Sequence, residues 1–192
     1  MKAGLALALL LLPAYALATL PPPMRTWPID PDGSEVQFSV RKLWFAHERG
    51  TFPQLHGTLR RIGSGAAEDV LEVDATVVAA DLQMDDPEHR VRALGPDFFD
   101  AARFPWIRFE SEPFAQDELA NGGPVHGLLT LHGVRRPVTL ALQASKCPAQ
   151  PLACTIRVRG TILRANFGMQ ALRGVLANRV ELDLRIMVGA GN

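Results

Sequence analysis

Five histidines and two cysteines are the side chains of this 192-residue sequence best suited to metal or nucleophilic chemistry, and their spacing decides whether they can act together. His126 and His132 lie in a stretch that alternates like a strand, so both would face one side. Along a strand, however, their separation spans about 20 Å, too far for two ligands of one metal ion unless the turn at Gly133 intervenes. His47 and His56 flank a loop, and neither His-Glu-x-x-His nor Gly-x-Ser-x-Gly occurs anywhere. No serine sits in a recognisable activating context, so neither an enzyme nor a metal centre is expected, and the histidines read as isolated surface residues. Cys147 and Cys154 enclose Pro-Ala-Gln-Pro-Leu-Ala. Their spacing is not that of a Cys-x-x-Cys redox motif, and a structural disulfide is expected, its short loop contributing about 2 to 3 kcal/mol by the chain-entropy argument.

What remains is apolar chemistry. The segment Gly95–Ser111, GPDFFDAARFPWIRFES, carries five of the chain's few aromatic rings. Rings so concentrated line an apolar site or close the end of a core, and the two roles are compatible. Composition narrows the setting. Lys2, the apolar run Ala3–Leu12 and the small residues Ala16-Leu17-Ala18 read as a secretory signal peptide over residues 1–18, leaving a single domain over 19–192. Without Lys2 the chain has 19 Lys and Arg against 20 Asp and Glu, and no long run of one sign. That balance argues against nucleic acid, and against a strongly anionic surface as the main partner.

Alternation dominates the rest of the chain. Val36, Phe38 and Val40 alternate with Glu35, Gln37, Ser39 and Arg41, and Leu71, Val73, Ala75, Val77 and Ala79 alternate with Glu72, Asp74 and Thr76. LHGTLRRI, WIRFES, VHGLLTLHG, PVTLALQAS, CTIRVRGTIL and RVELDLRIMV continue the pattern. These are eight half-buried antiparallel strands. Arg157 and Arg159 fall on the outward face of one of them. Between the third and fourth strands, Asp86-Pro87 is a helix start and Gly95-Pro96 a stop, predicting one short helix, PEHRVRAL, followed by a further helical turn at DFFDAA. The expected fold class is therefore all-β, an eight-stranded antiparallel barrel with a short helical insertion, since closure removes exposed edges. Gly57, Ala75, Ala79, Gly127, Ala144 and Gly160 share phase with the inward apolar series. Such small residues either leave space inside a barrel of this size or mark bulges and bends at its corners.

Four segments then carry a family resemblance: FSVRKLWFAHERGTF (Phe38–Phe52), LGPDFFDAARFPWIRFES (Leu94–Ser111), GLLTLHGVRRPVTL (Gly127–Leu140) and LRANFGM (Leu163–Met169). In their order and spacing the chain resembles the YceI-like family of periplasmic polyisoprenoid-binding proteins over essentially all of residues 19–192. The resemblance implies a lipocalin-like barrel with an apolar tunnel, a long isoprenoid such as a quinone or polyprenyl lipid as ligand, and no other cofactor. The family often has His-Ser where this chain has Gly33-Ser34, His at Lys42, Gly at Trp44 and Asp at Asn166, which leaves the identity of the ligand's head group open.

The tunnel lining is expected from Phe38, Val40, Leu43, Phe45, Phe98, Phe99, Ile107, Phe109, Phe167 and Met169, with Phe104 at a barrel end and a polar rim of Lys42, Arg164 and Asn166. The favoured function is non-catalytic binding or carriage of that lipid in the periplasm, with release outside the cell as the alternative location. The rival function is a periplasmic interaction module, for example a partner of a membrane redox protein, whose barrel is filled by its own side chains. A dimer is compatible with either.

Overall fold

A computed structural model describes residues 25–43, 46–62 and 70–191. The expected leader, residues 1–18, lies outside them, as do Trp44 and Phe45. The strands are β1 (Thr26–Pro28), β2 (Glu35–Lys42), β3 (Ala46–Phe52), β4 (His56–Arg61), β5 (Val70–Val78), β6 (Trp106–Ser111), β7 (Phe114–Ala115), β8 (Gly123–Leu131), β9 (Val134–Leu142), β10 (Ile156–Leu163) and β11 (Leu176–Ile186). Two helices accompany them, α1 (Pro87–Leu94) and α2 (Glu118–Asn121). All eight expected strands are present, as β2, β4 to β6 and β8 to β11. Among the described residues the count rises to eleven because β1, β3 and β7 also pair. These three are short or polar on both sides, so alternation does not betray them.

The strands form one antiparallel sheet in the order β1-β4-β5-β6-β8-β9-β10-β11-β2-β3, with β7 on β5. This sheet curls into the expected lipocalin-like barrel, but the described residues close the seam through single bridges rather than a continuous ladder. Thr51 of β3 exchanges hydrogen bonds of 2.9 and 2.8 Å with Gln83, in the segment after β5. At the other side of the seam, Asp30 N–H donates to the Met187 carbonyl at 2.8 Å and Gly189 N–H to the Pro28 carbonyl at 2.8 Å. Ser34, almost fully buried, fastens the same corner: its hydroxyl accepts from Met187 N–H at 2.9 Å and donates to the Met187 carbonyl at 3.2 Å. The hairpin between β8 and β9 turns on His132 and Gly133, both with left-handed backbone (φ 51° and 71°), the conformation that matches strand twist in two-residue loops.

Burial follows the alternation. Inward side chains collect in two clusters, one including Leu59, Leu71, Val125, Leu140 and Val158, the other Val40, Leu131, Ile162, Phe167, Met169 and Val180. Phe38, Phe99, Ile107 and Leu182 are half-buried and touch both clusters, so they face the space between them.

Ala75 of the small-residue series lines the cavity described below, but Gly127 and Gly160 leave no room inside, and Gly50 of β3 behaves as they do. Each is covered by a neighbour's side chain: Gly160 by Leu140 on β9, Gly50 by the Phe38 ring on β2, and Gly127 by the Phe109 ring, which a Cβ would approach to 2.7 Å. Glycine here lets a large residue on the next strand lie flat against the sheet. Gly50→Ala would push a methyl into the Phe38 ring and Leu82, and is expected to destabilise the protein by about 1 to 3 kcal/mol in denaturant unfolding. Gly57 is different, since its backbone (φ 150°) passes against that of Asp74 and Ala75, too close for any side chain.

α1 forms where the sequence places it. The Asp86 carboxylate accepts from Glu88 N–H at 2.8 Å and His89 N–H at 3.3 Å, Pro87 occupies the first helical position, and Gly95 ends the helix. The expected helical turn at DFFDAA is instead a run of turns, closed by Phe98 N–H and Asp100 N–H on the Gly95 carbonyl at 3.1 and 2.9 Å.

Candidate functional site: an apolar cavity in the barrel

Between the two clusters lies a cavity of about 330 Å³, within the range of roughly 300 to 1,000 Å³ usual for small-molecule sites. Every main strand of the barrel lends inward residues to it: Val36, Phe38 and Val40 from β2, Val73 and Val77 from β5, Ile107 and Phe109 from β6, and Leu182 and Leu184 from β11, among others. Among the described residues only five that line it carry polar heads, Lys42, Glu48, His89, Arg92 and Arg164. A cavity with such walls holds hydrocarbon far better than any polar group, because a polar atom taken from water needs a partner that the walls do not offer.

The ring cluster of the sequence is placed by α1 and the turns after it. Phe99 packs edge-on against Phe38 and Phe52, with centroids 5.7 and 5.6 Å apart, and Phe98 lines the cavity beside it. Phe104 does not join them. It packs on His132 at 5.3 Å and over Gly133, outside the lining.

The polar heads gather where α1 crosses the β2–β3 hairpin. Glu48 on β3 meets His89 Nδ1 of α1 at 2.9 Å and Lys42 Nζ of β2 at 3.7 Å. α1 buries no residue fully, so these contacts, together with Arg90 donating to the Leu82 and Ala80 carbonyls at 2.5 and 2.8 Å, fix it over the cavity. The Glu88 and His89 N–H groups also hold the Asp86 carboxyl below the usual carboxylate range. A depressed folded-state pKa means that the cap's contribution is present above the ordinary aspartate pKa and is lost as pH falls through the lowered value. Asp86→Ala is therefore expected to speed amide exchange across α1 at neutral pH, and the difference from the parent protein should vanish in strong acid.

Of the expected lining residues, Phe38, Val40, Phe98, Phe99, Ile107, Phe109 and Met169 meet around the cavity. Two others do not. Leu43 is half exposed, because its backbone turns left-handed (φ 54°) at the end of β2 and breaks the alternation. Phe167 is 1% exposed, buried in the second cluster behind the lining. The expected rim divides as well. Lys42 lines the cavity, whereas Asn166 is exposed and does not.

Arg164 lines the cavity, but as a buried residue rather than a solvated rim residue. Its Nε donates to the Ala177 carbonyl at 3.0 Å, Nη1 to Met169 and Ala171 at 2.9 and 2.6 Å, and Nη2 to Leu176 at 3.1 Å. The guanidinium thus pins the segment 169–177 at the end of the barrel. Burial, and secondarily the Arg173 charge, lower its pKa.

Glu48, His89 and Arg92 were not expected from the sequence. They come from a strand without apolar alternation and from the inserted helix, whose position relative to the barrel no local pattern reveals. Two further histidines have hydrogen-bond partners, His126 Nδ1 at 2.9 Å from Thr139 Oγ1 and His132 Nδ1 at 3.0 Å from the Phe167 carbonyl, while His47 and His56 are exposed. Cys147 and Cys154 form the expected disulfide, with Cα atoms 6.1 Å apart.

Comparison with known proteins places this geometry. A family model described as the YceI-like domain matches residues 27–188. A UPF0312 protein of Yersinia pestis (strain Pestoides F) is 26% identical over 163 residues, 82% of this chain and 83% of the relative. Protein YceI of Escherichia coli O17:K52:H18 (strain UMN026 / ExPEC) is 29% identical over 114 residues, 58% of each chain. Among solved structures, a polyisoprenoid-binding domain from Saccharophagus degradans, implicated in plant cell wall breakdown, superposes with a TM-score of 0.63 at 19% identity, covering 85% of this chain and 98% of that one. BcnA of Burkholderia cenocepacia superposes with a TM-score of 0.65 at 21% identity, covering 84% and 99%. At these identities the structural likeness shows the fold.

Proposed function

The chain belongs to the YceI-like domain family, and on that premise we propose that it binds a long isoprenoid lipid, of quinone or polyprenyl type, inside its barrel and does no chemistry on it. The observation that carries this proposal is the cavity itself, apolar along its length and, among the described residues, polar only at Lys42, Glu48, His89, Arg92 and Arg164. The name of the Saccharophagus degradans neighbour, a polyisoprenoid-binding domain, points the same way.

Magnitudes support a tail rather than a head group as the source of affinity. Each buried methylene contributes about 0.8 kcal/mol, so a tail of about twenty carbons offers on the order of 10 to 15 kcal/mol before the ligand's lost freedom is subtracted. One hydrogen bond adds only about 1 kcal/mol net. The groups around Glu48 would then select among head groups, and the cavity would determine whether anything binds.

An exported location fits both the leader-like residues 1–18 and the disulfide, which persists in oxidising compartments. We place the protein in the periplasm on that basis. A self-filled barrel acting only through its outer surface is disfavoured by the open space between the two clusters.

Native mass spectrometry and lipid extraction of protein purified from its own host test the proposal. A co-purifying isoprenoid is expected. Repeated absence of lipid, with no uptake of added quinone or polyprenol, would overturn it.

A further inference from the structure

The chain as a whole is close to neutral, yet its charges are unevenly placed. At one end of the barrel the turn Leu172-Arg173-Gly174-Val175 is exposed at every residue, and Leu43 sits beside it, its N–H donating to the Val175 carbonyl at 2.7 Å. Leu43, Leu172 and Val175 are among the large apolar residues left in solvent, at 50%, 40% and 36% exposure. Both leucines have left-handed backbone, each with φ 54°. Leucine pays for that conformation sterically, and strain kept at an exposed position marks a site where presenting the side chain matters. The turn is not loose, because the buried Arg164 grips the carbonyls on either side of it.

Cations border these apolar tips. A crevice of about 530 Å³ is lined by Arg41, Arg164 and Arg173 together with Leu43 and Val175, and among the described residues its lining includes no acidic one. Among the described residues Arg41 and Arg173 take part in no ion pair; Arg173 donates only to the Gln170 side chain. Arg164 uses its guanidinium on neutral carbonyls, so its charge also lacks a counter-ion there. Exposed leucine and valine beside arginines without acidic partners complement a bilayer interface, where acyl chains lie just beneath a plane of phosphates. The turn also belongs to the cavity, since Leu172, Val175 and Leu176 line it.

We propose that this end of the barrel docks on an anionic phospholipid bilayer, with Leu43, Leu172 and Val175 entering the interface and Arg41 and Arg173 meeting lipid phosphates. Docking does not depend on what the cavity holds. Its use, letting a lipid pass between bilayer and cavity without crossing water, rests on the isoprenoid-binding function proposed above.

Flotation of the purified full chain with vesicles tests it. The protein should float with vesicles of equal parts phosphatidylcholine and phosphatidylglycerol, less so at high salt, and weakly or not at all with phosphatidylcholine alone. Removing two arginines, as Arg41→Ala with Arg173→Ala, should lower partitioning about thirtyfold. Leu43→Asn with Leu172→Asn, a pair chosen because asparagine tolerates left-handed backbone, should lower it about tenfold or more. Leu182→Trp, which crowds the cavity far from this surface, should float like the parent protein while taking up less isoprenoid, so docking and loading fail separately. No flotation with the anionic vesicles, or equal flotation of the parent and the double-arginine variant, would overturn the proposal.

Discussion

Phe109→Asp is expected to cut isoprenoid uptake by roughly a hundredfold or more, because a carboxylate in an apolar cavity must either stay hydrated where the lipid belongs or be neutralised at a cost of several kcal/mol. Phe109 sits on β6 with its ring in the cavity wall and against Gly127 of β8. The change removes that ring as well as adding charge, so two losses act together on the ligand. The barrel itself should survive, since β6 keeps its backbone pairing to both β5 and β8. Thermal unfolding checks that point, and uptake of a fluorescent or radiolabelled polyprenol measures the effect. Leu182→Trp provides a control that fills the cavity without charging it, and it too should reduce uptake. Normal loading of both variants would mean that the lipid lies elsewhere.

Arg164→Met is expected to cost about 3 kcal/mol of stability in denaturant unfolding. The carbonyls of Met169, Ala171, Leu176 and Ala177 all accept from this one guanidinium. Methionine fills similar space and donates nothing, so those carbonyls must find water or move. Arg164→Lys should recover only part of the loss, because an ammonium cannot present a planar fork to four acceptors. Faster amide exchange at Val175 and Leu176, whose N–H groups bond to the Leu172 carbonyl, would locate the damage in the 169–177 segment. Stability unchanged within about 0.5 kcal/mol would show that the four bonds are readily replaced by solvent.

Much of the barrel was legible in the sequence because the physics that sets it is local. Strands with one wet and one buried face must alternate, and β2, β5, β10 and β11 do so residue by residue. α1 was equally plain, since Asp86, Pro87 and Gly95 each satisfy a requirement of a helix end that depends only on neighbours. β3 escaped because its middle, Glu48-Arg49-Gly50, is polar on both sides: one side carries the ion pairs at the cavity rim, and the glycine makes way for Phe38.

The site was only half legible, for a related reason. Whether an inward residue lines a cavity or fills a core depends on residues far away in the chain. Phe167 and Met169 are neighbours in the sequence, yet one is packed behind the wall and the other faces the hollow. Arg164 looks like a loop residue until the segment 169–177 folds back over it. Gly127 and Gly160 misled in the same way, because the ring or methyl that occupies the space over each belongs to another strand, whereas Ala75 of the same series does line the cavity. Arg41 and Arg173 likewise have no local signature and become one feature only when β2 and the turn before β11 come together.

The most direct measurement is a crystal structure of the protein grown with a polyprenol or long-chain quinone. Continuous hydrocarbon density between Phe38, Phe99, Ile107 and Leu182, with the head group toward the end of the barrel that carries Lys42, Glu48 and Arg164, is the predicted result. Density for the lipid only outside the barrel, or an interior closed by collapse of those side chains onto one another, would contradict it.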